Sequence, residues 1–197
     1  MERLRTSRRY LRACGYPRPI DTVELVEIVE KDNSAESTAL NWLEQGNNVG
    51  LMSESGMPGV ADPGSKVVKM AHKAGIQVMP LVGPSSIFMA LAASGLNGQN
   101  FQFHGYLPIK ENDLRKKLKQ LESESIKYNK TQIFIETPYR NNRMLSFCKN
   151  VLDKASTLGV ALDITGSNEK IIVKTLQDWK KYPNELEKLP AIFMIGK

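Results

Sequence analysis

The chain carries the sequence SESGMPGVADPG at residues 53–64, between an apolar run that ends at Met52 and an amphipathic stretch that continues to Ala74. Tight turns select glycine and proline, and a glycine backbone can approach a ligand closely. Asp62 suits the cap of a helix, and Pro63 suits its first turn, where a missing N–H costs nothing. This stretch therefore predicts a strand, a glycine-rich loop and a helix in succession.

Two more loops of small and polar residues follow predicted strands. Gly83-Pro84-Ser85-Ser86 comes after the apolar run that ends at Val82, and Glu136-Thr137-Pro138 comes after the run that ends at Ile135. In open parallel sheets, ligands bind beyond the carboxyl ends of the strands. Each loop alone is compatible with ordinary turn chemistry, whereas three such loops together favour one crevice that binds a ligand.

Apolar runs alternate with amphipathic segments along most of the chain, which predicts an α/β fold with a parallel sheet. The predicted strands are 22–29, 48–52, 76–82, 101–106, 131–136, 160–165, 170–176 and 191–195, and the predicted helices are 34–44, 62–74, 84–94, 111–122, 138–154 and 178–187. The pattern changes near residue 107. We therefore expect an N-terminal domain at 1–107 with a mostly parallel sheet and a C-terminal domain at 108–197 with a mixed sheet.

Composition excludes several classes of protein. With 197 residues, 41% hydrophobic and 24% charged, the chain has an ordinary globular composition and not a fibrous or disordered one. The longest apolar stretch, 87–93, is too short to span a membrane, and no secretory signal is visible. Two cysteines and two histidines do not form a metal-binding pattern. We expect a cytoplasmic protein that uses no metal and contacts no membrane.

Positive charge is concentrated in two places. The chain has 27 Lys+Arg against 21 Asp+Glu, a formal net charge of +6. One cluster comprises Arg3, Arg5, Arg8, Arg9, Arg12 and Arg18, and the other comprises Lys110, Arg115, Lys116, Lys117 and Lys119. Either cluster is compatible with an anionic partner such as nucleic acid, and either is compatible with a solvated helix face.

Four segments in order resemble one family of enzymes. Residues 53–64 resemble its S-D-A-G-T-P-x-x-x-D-P-G loop, and residues 81–96 resemble its P-G-P segment followed by A-L-x-x-x-G-L. Residues 103–108 resemble F-x-G-F-L-P, and residues 134–140 resemble F-x-E-x-P-x-R. The family is that of the tetrapyrrole methylase-like (class III) S-adenosylmethionine-dependent methyltransferases. Order and spacing are similar to the branch that methylates a ribose 2′-hydroxyl in small-subunit (16S) ribosomal RNA.

The resemblance implies a two-domain fold, usually a homodimer, that binds S-adenosylmethionine in a cleft between the domains. It also implies a set of cofactor-binding residues. These are Ser55, Gly56, Met57 and Val60 beside the methionine and ribose, Ser85 and Ser86 at a helix start, Glu136 and Gly166 beside the adenosine, and Pro190 and Ala191 beside the adenine.

The sequence departs from the family pattern in three ways. Glu54-Ser55-Gly56-Met57-Pro58 stands where the family has Asp-Ala-Gly-Thr-Pro. The first strand of the pattern is missing before Glu2, and a small helical extension is missing after Lys197. We expect a shortened sequence or a late start codon rather than natural loss, because removing a central strand leaves backbone groups unpaired.

These observations give a leading function and two alternatives. The leading one is methylation of a ribose in 16S ribosomal RNA, free or within the small ribosomal subunit. The alternatives are methylation of a tetrapyrrole or other small substrate, and a non-catalytic relic that binds RNA or a protein partner. A ribose hydroxyl must lose a proton, and the acidic candidates by position are Glu54, Asp62 and Glu2. Two of these acids also have a non-catalytic interpretation, Asp62 as a helix cap and Glu2 as a surface residue.

Overall fold

The computed structural model describes residues 1–29, 32–54, 56–183 and 185–197. These residues form two compact units, 1–85 and 86–197. The first unit contains helices and extended segments, and the second contains a five-stranded sheet with helices. Among the described helices, none is both long and apolar enough to cross a membrane.

Within its described residues, the first unit contains three α-helices and a short 3₁₀ helix at Ile20–Thr22. The α-helices are α1 (Leu4–Ala13), α2 (Ser34–Glu44) and α3 (Ser65–Lys73). The predicted bounds of α2 are confirmed. The prediction that α3 begins at Asp62 is wrong by three residues, because Gly64 takes φ 126°, a value outside the helical region.

The strands predicted at 22–29, 48–52 and 76–82 do not form within the described residues. The first two segments are bridged only by Met1 and Glu2. The Met1 amino group donates to the Val26 carbonyl at 3.0 Å, and the Glu2 amide donates to the Met52 carbonyl at 3.2 Å. Isolated hydrogen bonds of this kind do not make a continuous ladder, so these apolar runs remain extended without becoming strands. In the third segment, Met79, Leu81 and Val82 are exposed, so it lacks the packing that stabilises a strand.

The second unit contains the sheet. Its strands are β1 (Phe101–Tyr106), β2 (Thr131–Glu136), β3 (Thr157–Leu162), β4 (Lys170–Thr175) and β5 (Ala191–Gly196). Their order is β1-β2-β5-β3-β4, with β1 parallel to β2 and all other pairs antiparallel. The predicted mixed sheet is therefore confirmed.

Two strand predictions differ at their ends. The predicted strand 160–165 begins and ends too late, because Asp163 and Thr165 take positive φ values of 47° and 67° and so belong to a turn. In β1, the pairing register shifts between Phe103 and Tyr106, and Gly105 takes φ 63°. This irregularity is a bulge at the edge of the sheet.

Helices cover both faces of the sheet. On one face lies α4 (Ser86–Ser94), whose Ile87, Ala90 and Leu91 join a cluster with Ile192 and Met194. On the other face lie α5 (Glu111–Tyr128) and α6 (Asn141–Val151), over the stacked rings of Phe134 and Phe193. Although the sequence pattern places α4 and β1 in the N-terminal half, both pack in the second unit.

Besides α3, four helices differ from prediction, and the first of them, α4, begins at Ser86 rather than at Pro84. Helix α5 continues past residue 122 because Glu122 and Ser125 are buried within it, and Glu122 accepts hydrogen bonds from the Asp153 amide and the Ser156 hydroxyl. Helix α6 is preceded by a 3₁₀ turn at Pro138–Arg140 and ends at Val151, before the extended backbone of Leu152. The predicted helix 178–187 reduces to α7 (Leu176–Trp179), because Pro183 cannot continue a helix.

Candidate functional site

Several predicted site residues of the second unit meet at one edge of its sheet. Glu136, the last residue of β2, pairs with Ala191, the first residue of β5. Leu162, the last residue of β3, pairs with Ala191 from the other side. The next amide, that of Asp163, donates to the Pro190 carbonyl at 3.0 Å. Glu136, Pro190, Ala191 and the loop that contains Gly166 therefore lie at the same edge.

Helix α4 begins at this edge. At its far end, Leu96 lies so close to Gly196, near the end of β5, that a Cβ on Gly196 would overlap it. Because α4 packs along β3, β4 and β5, its first residue, Ser86, lies toward the opposite edge, where β5 begins. Ser86 is exposed, whereas the preceding Ser85 is buried. The first amides of an α-helix have no partner within the helix, so the start of α4 offers donors near this edge, beside the exposed Ser86.

The donors that hold the Glu136 carboxylate all bind one of its two oxygens. Its Oε1 accepts from the Thr137 amide at 2.7 Å and from Arg140 Nε at 2.9 Å, and it also pairs with Arg140 Nη2 at 2.7 Å. Both side chains of the ion pair are largely buried. Among the described residues, no donor reaches Oε2, so this oxygen can accept a hydrogen bond from a ligand hydroxyl.

The β3–β4 loop is built around Asp163. The Gly166 amide donates to the Asp163 carbonyl at 2.7 Å, and the Asn168 amide donates to Asp163 Oδ2 at 3.0 Å. A Cβ at Gly166 would overlap the Asp163 carboxylate, so this turn requires glycine. Sequence reasoning missed Asp163, although the Gly-Ser-Asn turn that follows it was a usable signal.

The three candidate acids lie together in the first unit. The Glu54 amide donates to Glu2 Oε2 at 2.9 Å. Glu54 itself accepts from the Thr6 hydroxyl and pairs with Arg3, whose Nε lies 3.3 Å from Oε2. Burial and the nearby negative charge of Glu2 raise the pKa of Asp62 above its usual value, against an opposing hydrogen bond from Ser53. Sequence reasoning missed Arg3 and Thr6 as partners, because their contact with Glu54 joins residues far apart in the chain.

The glycine-rich loop brings three predicted cofactor residues into one turn. The Val60 amide donates to the Met57 carbonyl at 3.1 Å, and the Ser53 hydroxyl donates to the Gly56 carbonyl at 3.1 Å. Gly56 takes φ 103°, and a Cβ there would lie 3.7 Å from Asp62 Oδ2. Gly56, Met57 and Val60 are therefore adjacent to the acids. Ser55 lies outside the described residues.

A cavity of about 470 Å³ lies elsewhere in the first unit. Its walls are side chains of α2 and of the extended segments 22–26 and 47–52. None of the three acids and none of the predicted loop residues lines it. The cavity therefore lies apart from the predicted site residues of this unit.

The histidines have other surroundings. His104 Nε2 lies 2.6 Å from Gln132 Oε1, and burial lowers the pKa of His104. His72 is exposed on α3. Within the described ranges, no group of three His, Cys, Asp or Glu side chains is placed to hold a metal ion.

The mixed sheet with helices on both faces is the fold of a class of methyltransferases. The structure is similar to that of the methyltransferase CobJ, with a TM-score of 0.62 and 22% identity over 94% of this chain and 79% of that one. It is also similar to the cobalamin biosynthetic enzyme cobalt precorrin-4 methyltransferase, CbiF, with a TM-score of 0.54 and 16% identity over 91% of this chain and 76% of that one. A third similar structure is that of a uroporphyrin-III C-methyltransferase from Thermus thermophilus complexed with S-adenosylhomocysteine. Its TM-score is 0.51, with 15% identity over 90% of this chain and 78% of that one.

The chain belongs to the family of tetrapyrrole (corrin/porphyrin) methylases, whose family model matches residues 6–180. Its similarity to curated proteins lies in the ribosomal RNA branch. It is 33% identical over 159 residues to "Ribosomal RNA small subunit methyltransferase I" of Haemophilus influenzae, covering 79% of this chain and 55% of that protein. The protein of the same name from Bacillus subtilis is 33% identical, over 74% of this chain and 48% of that protein. The one from Escherichia coli O157:H7 is 36% identical, over 68% of this chain and 46% of that protein. The chain spans about half the length of these relatives. The family resemblance seen in the sequence is confirmed.

Proposed function

We propose that this protein is an S-adenosylmethionine-dependent methyltransferase that modifies a ribose 2′-hydroxyl in small-subunit ribosomal RNA. The observation that carries the proposal is that Glu136, Ala191 and the loop with Gly166 lie at one edge of the sheet, toward which α4 begins at Ser86. The names of the relatives support the choice of ribosomal RNA as substrate.

The donor set at the sheet edge suits a nucleoside joined to an amino acid. The start of α4 offers amide donors and the Ser86 hydroxyl, which suit a carboxylate or a polar amino-acid group. Glu136 Oε2 accepts from ribose hydroxyls, while the backbone near Gly166 and at Pro190–Ala191 borders the neutral adenine. When bound, S-adenosylmethionine supplies a methyl group activated by its sulfonium. The family pattern assigns Gly56, Met57, Val60 and Ser85 to the same cofactor, and it also includes Ser55, which lies outside the described residues.

Asp62 is the proposed proton acceptor. The Glu54 carboxylate is already engaged by Arg3 and Thr6, and Glu2 accepts the Glu54 amide. The raised pKa of Asp62 makes it the better base, because proton affinity rises with pKa. The remaining task of the protein is to align the hydroxyl with the methyl carbon and to exclude water.

We also propose that the protein acts as a homodimer in the cytoplasm. Met79, Leu81 and Val82 expose apolar side chains in succession, and exposed apolar patches are common at protein interfaces. Sedimentation should give about twice the chain mass of 22.1 kDa. A mass equal to one chain at all concentrations would contradict the dimer.

Calorimetry with S-adenosylmethionine tests the cofactor part of the proposal. We expect the wild-type chain to bind, and Ser86→Tyr to lose binding because the ring fills the space at the start of α4. Ser123→Tyr, on the exposed side of α5, is the matched control and should bind as the wild type does. Circular dichroism checks that both variants fold. Absence of binding to the wild type would overturn the enzyme proposal, and unchanged binding to Ser86→Tyr would overturn the placement of the cofactor.

Methyl transfer tests the substrate. Purified small ribosomal subunits and naked ribosomal RNA are incubated with labelled S-adenosylmethionine, and methylated riboses are mapped by alkaline hydrolysis, which a 2′-O-methyl group blocks. We expect one protected position. A labelled product from a porphyrin precursor and none from RNA would favour the small-molecule alternative. Cofactor binding with no product on either substrate would favour the non-catalytic one.

A further inference from the structure

Helix α1 presents a face made of arginines. Arg5, Arg8, Arg9 and Arg12 are spaced at i, i+3, i+4 and i+7, which places them on one side of a helix. All four are exposed. Within the described part of the chain, no carboxylate lies within 4.0 Å of any of them, whereas Arg3, which lies outside this face, pairs with Glu54. We call these four residues the α1 arginine face.

The opposite side of α1 anchors the helix. Ser7 is buried, and Leu4 and Leu11 are half-buried. The Leu4 amide donates to Glu27 Oε2 at 3.2 Å, and the Tyr16 amide donates to the Leu11 carbonyl at 3.0 Å. The α1 arginine face is therefore held outward by the packing of the helix, and four unneutralised charges are kept on one short surface.

We propose that the α1 arginine face binds the phosphates of single-stranded RNA, an inference that rests on the proposed function. A guanidinium binds phosphate through paired N–H donors and remains charged at all physiological pH values. Arg5 and Arg12 are seven residues apart, which is about 10.5 Å along a helix. Four guanidiniums along that length can each contact one of a few consecutive phosphates of a strand.

Tyr10 adds a surface for a base. Its side chain is 59% exposed. It stands four residues after Thr6, on the side of α1 whose Thr6 hydroxyl bonds to Glu54. Stacking of bases on exposed aromatic rings is a sequence-tolerant contribution to single-strand binding. The ring therefore stands on the Glu54 side of α1, one turn beyond Thr6, where a strand bound to the α1 arginine face can reach it.

The same helix is poorly suited to a membrane surface. A helix that lies in a membrane interface needs an exposed apolar face opposite its basic one. The apolar side chains of α1, Leu4 and Leu11, instead pack inward. The charge pattern therefore favours a polyanion in solution over a lipid bilayer.

RNA binding by a quadruple variant tests the proposal. Arg5, Arg8, Arg9 and Arg12 are all changed to Gln, and the matched control changes Lys110, Arg115, Lys116 and Lys117 on or next to α5 to Gln, which removes the same charge. The probe is a fluorescein-labelled single-stranded RNA of about 20 nucleotides and mixed sequence. Anisotropy is measured without cofactor at about 50–200 mM KCl, since the salt dependence counts the phosphates that are neutralised.

We expect the α1 variant to bind at least tenfold more weakly at low salt, and the slope of log K against log salt to fall by about 2–3, at about 0.7 per phosphate. The α5 control should remain within about twofold of the wild type. Tyr10→Ala should weaken binding at least fivefold, and Tyr10→Phe should not, because it keeps the ring. The proposal would be overturned if the RNA affinity of the α1 variant were within twofold of that of the wild type. Equal losses of affinity in the α1 variant and the α5 control would also overturn it.

Two further measurements distinguish RNA binding from lipid binding and from damage to the methyltransferase site. The first measures co-sedimentation with phosphatidylglycerol vesicles. If the wild type co-sediments, the α1 variant does not, and the α1 variant still binds RNA as the wild type does, the face binds a lipid surface instead. Calorimetry of the α1 variant with S-adenosylmethionine checks that the methyltransferase site is intact. If cofactor binding persists and RNA binding does not change, only this inference fails. If the wild type binds no cofactor, the proposed function fails, whatever the RNA result.

Discussion

Arg140 fixes one of the most buried charges of the molecule. Its guanidinium engages the Glu136 carboxylate through Nε and Nη2, and only a small fraction of either side chain is exposed. A carboxylate buried in this way depends on its partner, since an unpaired buried charge is costly. At the scale of single residues, therefore, the proposed contact with the ribose depends on a neighbour that need not touch the ligand.

Arg140→Gln should lower the free energy of unfolding by about 3 kcal/mol, because it leaves Glu136 buried without its cation. It should also weaken S-adenosylmethionine binding. Arg143→Gln is the matched control, since Arg143 pairs with Glu111 in an exposed position, and such pairs contribute about 0–1 kcal/mol. Urea unfolding and calorimetry measure the two effects. Equal stability losses in both variants would contradict the role assigned to the buried pair.

Asp62→Asn should lower kcat at least about 100-fold, the loss typical of removing a general base. The same change should raise the Tm slightly at pH 7. Because folding raises the pKa of this carboxyl, its contribution to stability is fully present below the ordinary value of 3.8 and is lost as the pH rises through the raised value. The rise in Tm should therefore shrink as the pH is lowered toward 4. A lower Tm at pH 7, or unchanged kcat, would contradict this assignment.

Among the secondary-structure elements, the β3–β4 loop combines a sheet edge with a turn that requires glycine. Gly166→Ala should push the Asp163 carboxylate away and break its bond to the Asn168 amide. We expect a lower Tm and weaker S-adenosylmethionine binding. Gly98→Ala is the control, because a Cβ there meets nothing within 4 Å. Equal Tm and affinity in the two variants would show that this turn does not shape the site.

Elements whose apolar pattern coincides with real packing were predictable. The bounds of α2, β1 and β2 agree with those predicted from the sequence, because polar and turn residues stand at their ends. The structure of the extended segments in the first unit was not predictable, since an apolar run favours an extended backbone but does not specify the strand beside it. In the same way, the end of β3 depends on the positive φ of Asp163, which the apolar run 160–162 does not reveal.

At the scale of the whole molecule, each compact unit carries one thiol. Cys14 is exposed in the first unit, and Cys148 is fully buried in the core of the second. Burial raises the pKa of Cys148 to about 12, so it forms almost no reactive thiolate in the folded state. The two thiols therefore report on the two units separately.

Under native conditions, Ellman's reagent should modify one thiol per chain, and mass spectrometry of peptides should place it at Cys14. Cys148 should react only as urea unfolds the second unit, and its modification should follow the loss of sheet signal in circular dichroism. Cys148→Ser should leave the native reaction unchanged. Rapid reaction of both thiols without urea would contradict a closed core around α6.

The candidate site was predictable to the extent that it is made of local motifs. Gly56, Ser86 and Glu136 stand out because each follows an apolar run, and the family resemblance adds Gly166, Pro190 and Ala191. The partners that orient these groups were not predictable, because Arg3 with Glu54 and Asp163 with Asn168 are contacts made by folding. The ranking of the three acids likewise depends on burial, which a sequence does not display.

The bulge at Gly105 affects how copies of the protein meet at high concentration. An unbroken row of backbone donors and acceptors on an outer strand can template another chain and start a fibril. The shifted register between Phe103 and Tyr106 interrupts that row in β1, and Lys170 and Lys174 place charge along β4, the other outer strand. The strongly apolar β2 and β5 therefore lie between two borders that discourage amyloid-like growth.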